Sequence, residues 1–282
     1  RQDGEAYIYW SGRGISVAKL KPNMKELASE PMQIQGLPDG FKEGPYAFKH
    51  NNKYYLTFPW VQDKTETLAY AMADSPMGPF TFTGIIMDES PSGCWTNHHS
   101  ITEYNGQWYL FYHHNDYSPN FDKNRSARID SLFFNTDGTI KKVKPTLRGV
   151  GITDARSKIQ IDRYSTISPY GVTIDYLEPS NTFEGWQTLF NRAGTWVTYN
   201  KVDFGITPVK RLKARVRSEK GGAITLRTPG EKGMTIAELP IKPTGKWTEI
   251  STNVSNAPTS MQDLIITQTG ENPVAVDWIS FE

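Results

Sequence analysis

Four clusters in the first half of this 282-residue chain carry residue types that transfer protons or grip polar ligands. The first is Lys42-Glu43-Gly44-Pro45-Tyr46. A Glu ahead of Gly-Pro sits in a constrained turn. A carboxyl in such a place serves as a general acid where burial or a neighbouring negative charge keeps it protonated; otherwise it is a solvated loop residue. The second is Thr96-Asn97-His98-His99-Ser100-Ile101, with two of the five histidines of the chain. It reads as a metal or water ligand, as a hydrogen-bonder to a ligand, or as a polar loop with one packed imidazole. The third, His113-His114-Asn115-Asp116, imitates a metal site, but no further ligands are spaced to complete one. The fourth is Asn124-Arg125-Ser126-Ala127-Arg128-Ile129-Asp130. Strand alternation there points Arg125 toward a carboxylate or hydroxyl partner and leaves Arg128 to a surface salt bridge.

The elements that hold these clusters are written in a hairpin signature that occurs three times. It reads Asp3-Gly4-Glu5-Ala6-Tyr7-Ile8-Tyr9-Trp10, Asn51-Asn52-Lys53-Tyr54-Tyr55-Leu56-Thr57-Phe58 and Asn105-Gly106-Gln107-Trp108-Tyr109-Leu110-Phe111-Tyr112. Asp-Gly and Asn-Gly supply the positive φ that two-residue turns need, and the aromatic runs suit strands. Tyr7 to Tyr54 is 47 positions and Tyr54 to Trp108 is 54. A hairpin period near 50 is the pattern of β-propeller blades, although three blades do not close a propeller. Glu43 precedes the second copy and His98 the third, in the same relative place, where a loop feeding an inner strand reaches the axis.

From Ile159 the pattern changes to short strand-like runs: Trp196–Tyr199, Leu212–Arg217, Ala223–Arg227, Thr248–Val254, Asp263–Thr267 and Val274–Phe281. Regular short strands with Gly/Pro turns predict a β-sandwich. The expected fold is therefore all-β with very little helix, in two domains, 1–153 and 154–282, joined by the connector Leu147–Ile152.

Bulk composition narrows the function classes. A net charge of +1 argues against a nucleic-acid partner or a membrane anchor, and no apolar run is long enough to span a bilayer. Cys94 is the sole cysteine, so no internal disulfide forms. No phosphate-binding Gly loop, zinc-spaced Cys/His set or Gly-x-Ser-x-Gly elbow is present. No signal peptide is visible, and Arg1 reads as a product of processing, cloning or proteolysis.

Together Asp3–Trp10, Glu43-Gly44-Pro45, Asn97–Ile101, Asn124–Ser126 and Asn135-Thr-Asp-Gly-Thr-Ile140 resemble glycoside hydrolase family 43, five-bladed propeller enzymes acting on arabinan, xylan and arabinoxylan. The resemblance covers about 150 residues, in the family's order. It implies removal of α-L-arabinofuranosyl or β-D-xylosyl units by an inverting mechanism. Glu43 would be the general acid. His98 would hold an ion or water near the propeller axis, with His99 as the alternative. Arg125 would contact Glu43 or the sugar, and Trp60 and Trp95 would stack on it. In the family an Asp base and a second Asp that keeps the acid protonated both precede the Glu by a long stretch, which here falls upstream of Arg1. The expectation is thus a set of C-terminal blades, with the base on a second polypeptide or a lost segment, and inactivity without it. The rival is a non-catalytic carbohydrate-binding fragment.

The second half resembles a family 6 carbohydrate-binding module, a β-sandwich of jelly-roll type, through Ile159–Tyr164, Gly194–Tyr199, Val202–Gly205, Thr244–Trp247 and Val276–Phe281. The resemblance implies a structural calcium on Gln160, Asp162 and Asp277, completed by backbone carbonyls, which would tie the first strand to the last. It maps the sugar-sandwiching aromatics to Phe190 and Trp247. The Asn usual in that cleft is Ala275. A polymeric plant cell-wall substrate would place the protein outside the cell, secreted, periplasmic or at the cell surface.

Overall fold

A computed structural model describes residues 4–41, 43–116, 122–123, 125–230 and 233–282. Arg1, the turn residue Asp3, Lys42 and Asn124 of the motifs above lie outside them. The chain forms two compact units, 1–145 and 146–282.

The first unit is three antiparallel meanders. One is β1 (Ala6–Gly12), β2 (Gly14–Leu20) and β3 (Met32–Gln33). The second is β4 (Tyr46–His50), β5 (Lys53–Val61), β6 (Glu66–Ala73) and β7 (Thr81–Met87), in that order. The third is β8 (Ser100–Tyr104), β9 (Gln107–His114) and β10 (Ser126–Leu132). The turns follow the chemistry of their residues. Asn51 and Asn52 both take positive φ (46° and 63°), as do Asn105 and Gly106 (49° and 77°), the requirement of a type I′ hairpin. Gly4 also has positive φ.

Strand periodicity explains how the sheets stack. Tyr55 of β5 joins Leu68, Tyr70, Ile101, Leu110 and Leu132 in one core. Its neighbours Leu56 and Phe58 join Ile15, Val17, Ala69 and Ala71 in another. Successive side chains leave opposite faces of a strand, so the middle sheet is buried on both faces between its neighbours. Face-to-face stacking of meanders is blade packing, and it makes the first strands of the second and third sheets neighbours. Tyr46 of β4 donates its hydroxyl to the carbonyl of Ile101 on β8 at 2.7 Å.

The second unit is a β-sandwich. One sheet holds β11 (Thr153–Asp154), β13 (Thr166–Ile167), β16 (Trp196–Asp203), β18 (Gly222–Arg227), β19 (Thr235–Ile241) and β21 (Met261–Gln268). The other holds β12 (Ile159–Gln160), β14 (Val172–Tyr176), β15 (Trp186–Phe190), β17 (Arg211–Arg217), β20 (Thr248–Asn253) and β22 (Val274–Phe281). In β17, Leu212, Ala214 and Val216 point into the core, while Lys213, Arg215 and Arg217 point out. β22 lies between β15 and β17 and is buried along its whole length. Among the described residues the single helical element is a 3-10 turn, Thr182–Glu184. The unit boundary falls earlier than the expected 153/154. Arg148 bonds through its amide to the carbonyl of Tyr164 and through Nε to that of Asn200, and β11 pairs in parallel with β16, so the connector belongs to the sandwich.

Candidate active site

Glu43 ends the loop into β4, and His98 and His99 end the loop into β8. Because those strands adjoin, the two loops meet. His98 Nε2 lies 3.3 Å from Glu43 Oε1, with side chains 35% and 61% exposed. This is an ion-pair distance without hydrogen-bond alignment, since His98 Nε2 makes no hydrogen bond. Gly44 explains how they come so close. Its φ is +65°, and a Cβ there would stand 2.9 Å from His98 Cε1 and Nδ1. Both the backbone conformation and the space demand glycine.

The histidine loop is fixed by buried hydrogen bonds. The amide of Asn97 donates to Glu66 Oε2 at 2.8 Å, and the amide of Glu66 donates to the carbonyl of Trp95. The amide of His98 donates to His113 Nε2 at 3.2 Å. His113 therefore carries its proton on Nδ1. His99 Nε2 is 2.6 Å from Thr57 Oγ1, and that hydroxyl donates to the carbonyl of Tyr46, so His99 is the donor and is protonated on Nε2. Burial, then the charge of His98, lowers the pKa of His99 to about 3. Burial, then Arg125, His98 and His114, lowers that of His113 to about 4. His114 is lowered as well, mainly by burial, with Asp116 opposing. Around Glu43 and His98 the other imidazoles are thus neutral donors or acceptors at physiological pH. Thr96 Oγ1, Asn97 Oδ1, His99 Nδ1, His113 Nδ1 and His114 Nε2 are buried here without a hydrogen bond to another protein atom.

The other sequence candidates are placed as follows. Arg125 is exposed, and its charge reaches His113. Arg128, expected at the surface, is instead 7% exposed and pairs with Asp116 Oδ2 at 2.6 Å. It lies on the face of β10 that also buries Asp130 and Leu132, and its guanidinium meets Asp116 just past the end of β9. Trp60 on β5 donates Nε1 to the carbonyl of Asp39 and meets Phe82 edge-on at 5.3 Å. Trp95 is half-buried, with its main chain tied to Glu66 and Asp122. Among the described residues no three His, Cys, Asp or Glu side chains converge as metal ligands, and His113 and His114 act through hydrogen bonding and packing instead. Sequence reasoning did not find the roles of His113, Thr57 and Glu66. They act across strands, on main-chain groups that sequence spacing does not reveal.

In the sandwich, Phe190 is fully buried in the core, so it does not face a ligand. The inward alternation of β15 at that point outweighs its mapping to a cleft. Trp247 is half-buried, with the guanidinium groups of Arg215 and Arg217 at 5.4 and 5.1 Å from its ring. Ala275 and Arg217 line an open cavity of about 430 Å³ with Asp175, Gln187 and Lys220. Gln160 is exposed, opposite Trp278, whereas Asp162 and Asp277 are buried. The amide of Ile161 donates to the carbonyl of Asp277, which joins β12 to β22. Burial raises the Asp277 carboxyl pKa, Arg215 at 2.7 Å opposes, and the charge of Asp162 adds to the rise. Each buried carboxylate has a guanidinium partner, Asp162 that of Arg163 at 3.3 Å and Asp277 that of Arg215, and the two carboxylates supply the oxygen donors that a hard cation takes.

The description "Glycosyl hydrolases family 43" matches residues 1–140, and "Carbohydrate binding module (family 6)" matches residues 168–282. An arabinoxylan arabinofuranohydrolase of Paenibacillus polymyxa is 28% identical over a 306-residue alignment, covering 95% of this chain and 47% of that protein. A beta-xylosidase of Xylanibacter ruminicola is 37% identical over 141 residues, 45% of this chain and 42% of that protein. The chain spans about half the length of these curated relatives. The crystal structure of a family 43 arabinoxylan arabinofuranohydrolase from Bacillus subtilis covers all of this chain and 65% of its own, with a TM-score of 0.56 and 23% identity, and shares the fold.

Two outcomes test the geometry. Gly44→Ala meets both the positive φ and the His98 ring and lowers stability by about 1–3 kcal/mol in denaturant titration. Gly106→Ala meets the φ alone, since nothing lies within 4 Å, and loses less. In acid, the folded first unit binds fewer protons at His99 and His113 than the unfolded chain does. Its stability is therefore full above the ordinary histidine pKa of about 6.5 and falls with pH toward about 4 and then about 3. Melting temperature against pH reads this, and His113→Gln flattens the upper part of the slope.

Proposed function

Residues 1–140 belong to glycosyl hydrolase family 43 and residues 168–282 to carbohydrate binding module family 6, and from that premise we propose that this chain is part of a hemicellulose glycosidase. It removes α-L-arabinofuranosyl or β-D-xylosyl units from arabinoxylan, xylan or arabinan. The observation that carries the reading is Glu43 held 3.3 Å from His98 where the loops into β4 and β8 meet. Glu43 serves as the general acid that protonates the leaving oxygen. His98 and Arg125 orient the acid and the sugar, with an ion or water at the axis beside His98 Nε2. Trp60 and Trp95 offer aromatic faces at the rim.

Inversion requires a second carboxylate to activate water on the opposite face of the sugar, roughly 6.5–9.5 Å from the acid. That base and the Asp that keeps the acid protonated are assigned to a segment outside these residues, of the same or a second polypeptide. The polymeric substrate places the protein outside the cell or at its surface. A second reading, a carbohydrate-binding fragment without turnover, draws on the exposure of the Glu43 side chain, 61% accessible where a buried acid would be shielded.

In the whole protein, Glu43→Gln lowers kcat on unactivated oligosaccharides by about 10²–10⁴-fold. Aryl glycosides with good leaving groups, which need little protonation, lose far less. Equal turnover of wild type and variant on oligosaccharide removes Glu43 from the role. In the module, calcium is assigned to Gln160, Asp162 and Asp277, where it would supply positive charge between the buried carboxylates. A chelator lowers the melting temperature of the sandwich and added Ca²⁺ restores it; an unchanged melting curve sinks the ion site.

A further inference from the structure

The Glu43–His98 pair has a third member that neither the charge pattern nor the spacing announces. His113 sits at the end of β9, opposite Ala127 of β10. Its Nε2 accepts the amide proton of His98 at 3.2 Å, and the two imidazoles lie 6.3 Å apart with planes 25° from parallel. The same His98 ring meets the backbone of Gly44 so closely that a Cβ would come within 2.9 Å. His98 is therefore held through its main chain by His113 and through its ring by Gly44, and its Nε2 is thereby kept within 3.3 Å of Glu43 Oε1.

We propose that His113 is a positioning residue for the acid, fixing the His98 main chain through its Nε2 lone pair in the Nδ1–H tautomer. The proposal rests on the reading of Glu43 as the acid. An imidazolium carries a proton on both nitrogens and accepts nothing, so the role requires the neutral ring. The observed bond meets that requirement, because the His98 amide donates to Nε2 at 3.2 Å. The neighbouring carboxylates are engaged elsewhere, Asp116 by Arg128 at 2.6 Å and Glu66 by the Asn97 amide at 2.8 Å. His113 Nδ1 is buried without a hydrogen bond to the protein.

The test uses two variants in the protein at its full natural length, with Glu43→Gln as control. His113→Gln places an amide oxygen where Nε2 stood; His113→Phe keeps a ring and removes the acceptor. A displacement of about 1 Å in a catalytic group costs on the order of 10²-fold. His113→Phe is expected to lower kcat on an unactivated xylo- or arabino-oligosaccharide by about 10- to 100-fold, with KM little changed. It should lose much less on an activated aryl glycoside, and His113→Gln should recover most of the loss. Equal losses on both substrates, or Gln no better than Phe, overturn the proposal in favour of plain packing. If Glu43→Gln leaves oligosaccharide turnover unchanged, the acid reading fails on its own. The tautomer then decides for His113: imidazole ¹⁵N spectra of this chain at neutral pH should show Nε2 unprotonated and hydrogen-bonded, with the His98 amide shifted in His113→Phe. A proton on Nε2 overturns the assignment.

Discussion

The candidate site depends on one close approach, the backbone of Gly44 against the His98 ring. It exists because the first strands of two stacked meanders are neighbours, tied by Tyr46 to the carbonyl of Ile101. With the strands fixed, the loops that feed them have one place to meet, and any side chain at residue 44 would hold them apart. The Glu-Gly-Pro sequence is then three constraints in a row. Glu43 supplies a carboxylate, Gly44 supplies positive φ and clearance, and Pro45, with its fixed φ, delivers the chain into β4.

Electrostatics around that contact are arranged by desolvation more than by charge pairing. His99, His113 and His114 are all pushed toward the neutral form, chiefly by burial. Neutral imidazoles have one donor and one acceptor each, and hydrogen bonds determine which nitrogen is which. Thr57 sets His99 as an Nε2 donor, and the His98 amide sets His113 as an Nε2 acceptor. The two rings thus carry opposite tautomers. The acidic residues of the neighbourhood are spent on anchoring: Glu66 on the Asn97 amide, Asp116 on Arg128. Glu43 is the carboxylate left facing solvent, a condition suited to meeting a substrate.

Much of this was legible in the sequence, for identifiable reasons. The Asn51-Asn52 and Asn105-Gly106 turns announced themselves because few residues tolerate their φ values. Glu43 and His98 were found together because each precedes a hairpin copy at the same relative place, and repetition converts spacing along the chain into proximity at an axis. Cross-strand chemistry was not legible. The bond from His98 to His113 and the anchor from Asn97 to Glu66 join residues 15 and 31 positions apart through backbone groups, which leave no trace in residue type. At Arg128 the alternation holds but in the opposite phase to the one expected: Arg128 shares the buried face of β10 with Asp130 and Leu132. Phe190 failed for a similar reason: its type suited a sugar face, but its position on β15 turns it into the core.

The sandwich solves a related problem with different groups. β22 is buried along its length yet carries Asp277, and β12 brings the buried Asp162 beside it. Two desolvated carboxylates cannot both stay ionised without positive charge nearby. Arg215 supplies that charge to Asp277 at 2.7 Å and Arg163 to Asp162 at 3.3 Å, and the Arg215 guanidinium also lies near the face of Trp247. The outward side chains of β17 therefore link the strand-joining acid cluster to the aromatic residue next to the open cavity. Arg217, one outward position further along β17, lies against the same ring and lines that cavity beside Ala275. Where an Asn would offer a short neutral amide, this surface offers a guanidinium braced on an indole. Gln187, Ser218 and Asn272 line the same cavity, so neutral hydrogen-bonding groups stand beside that charge.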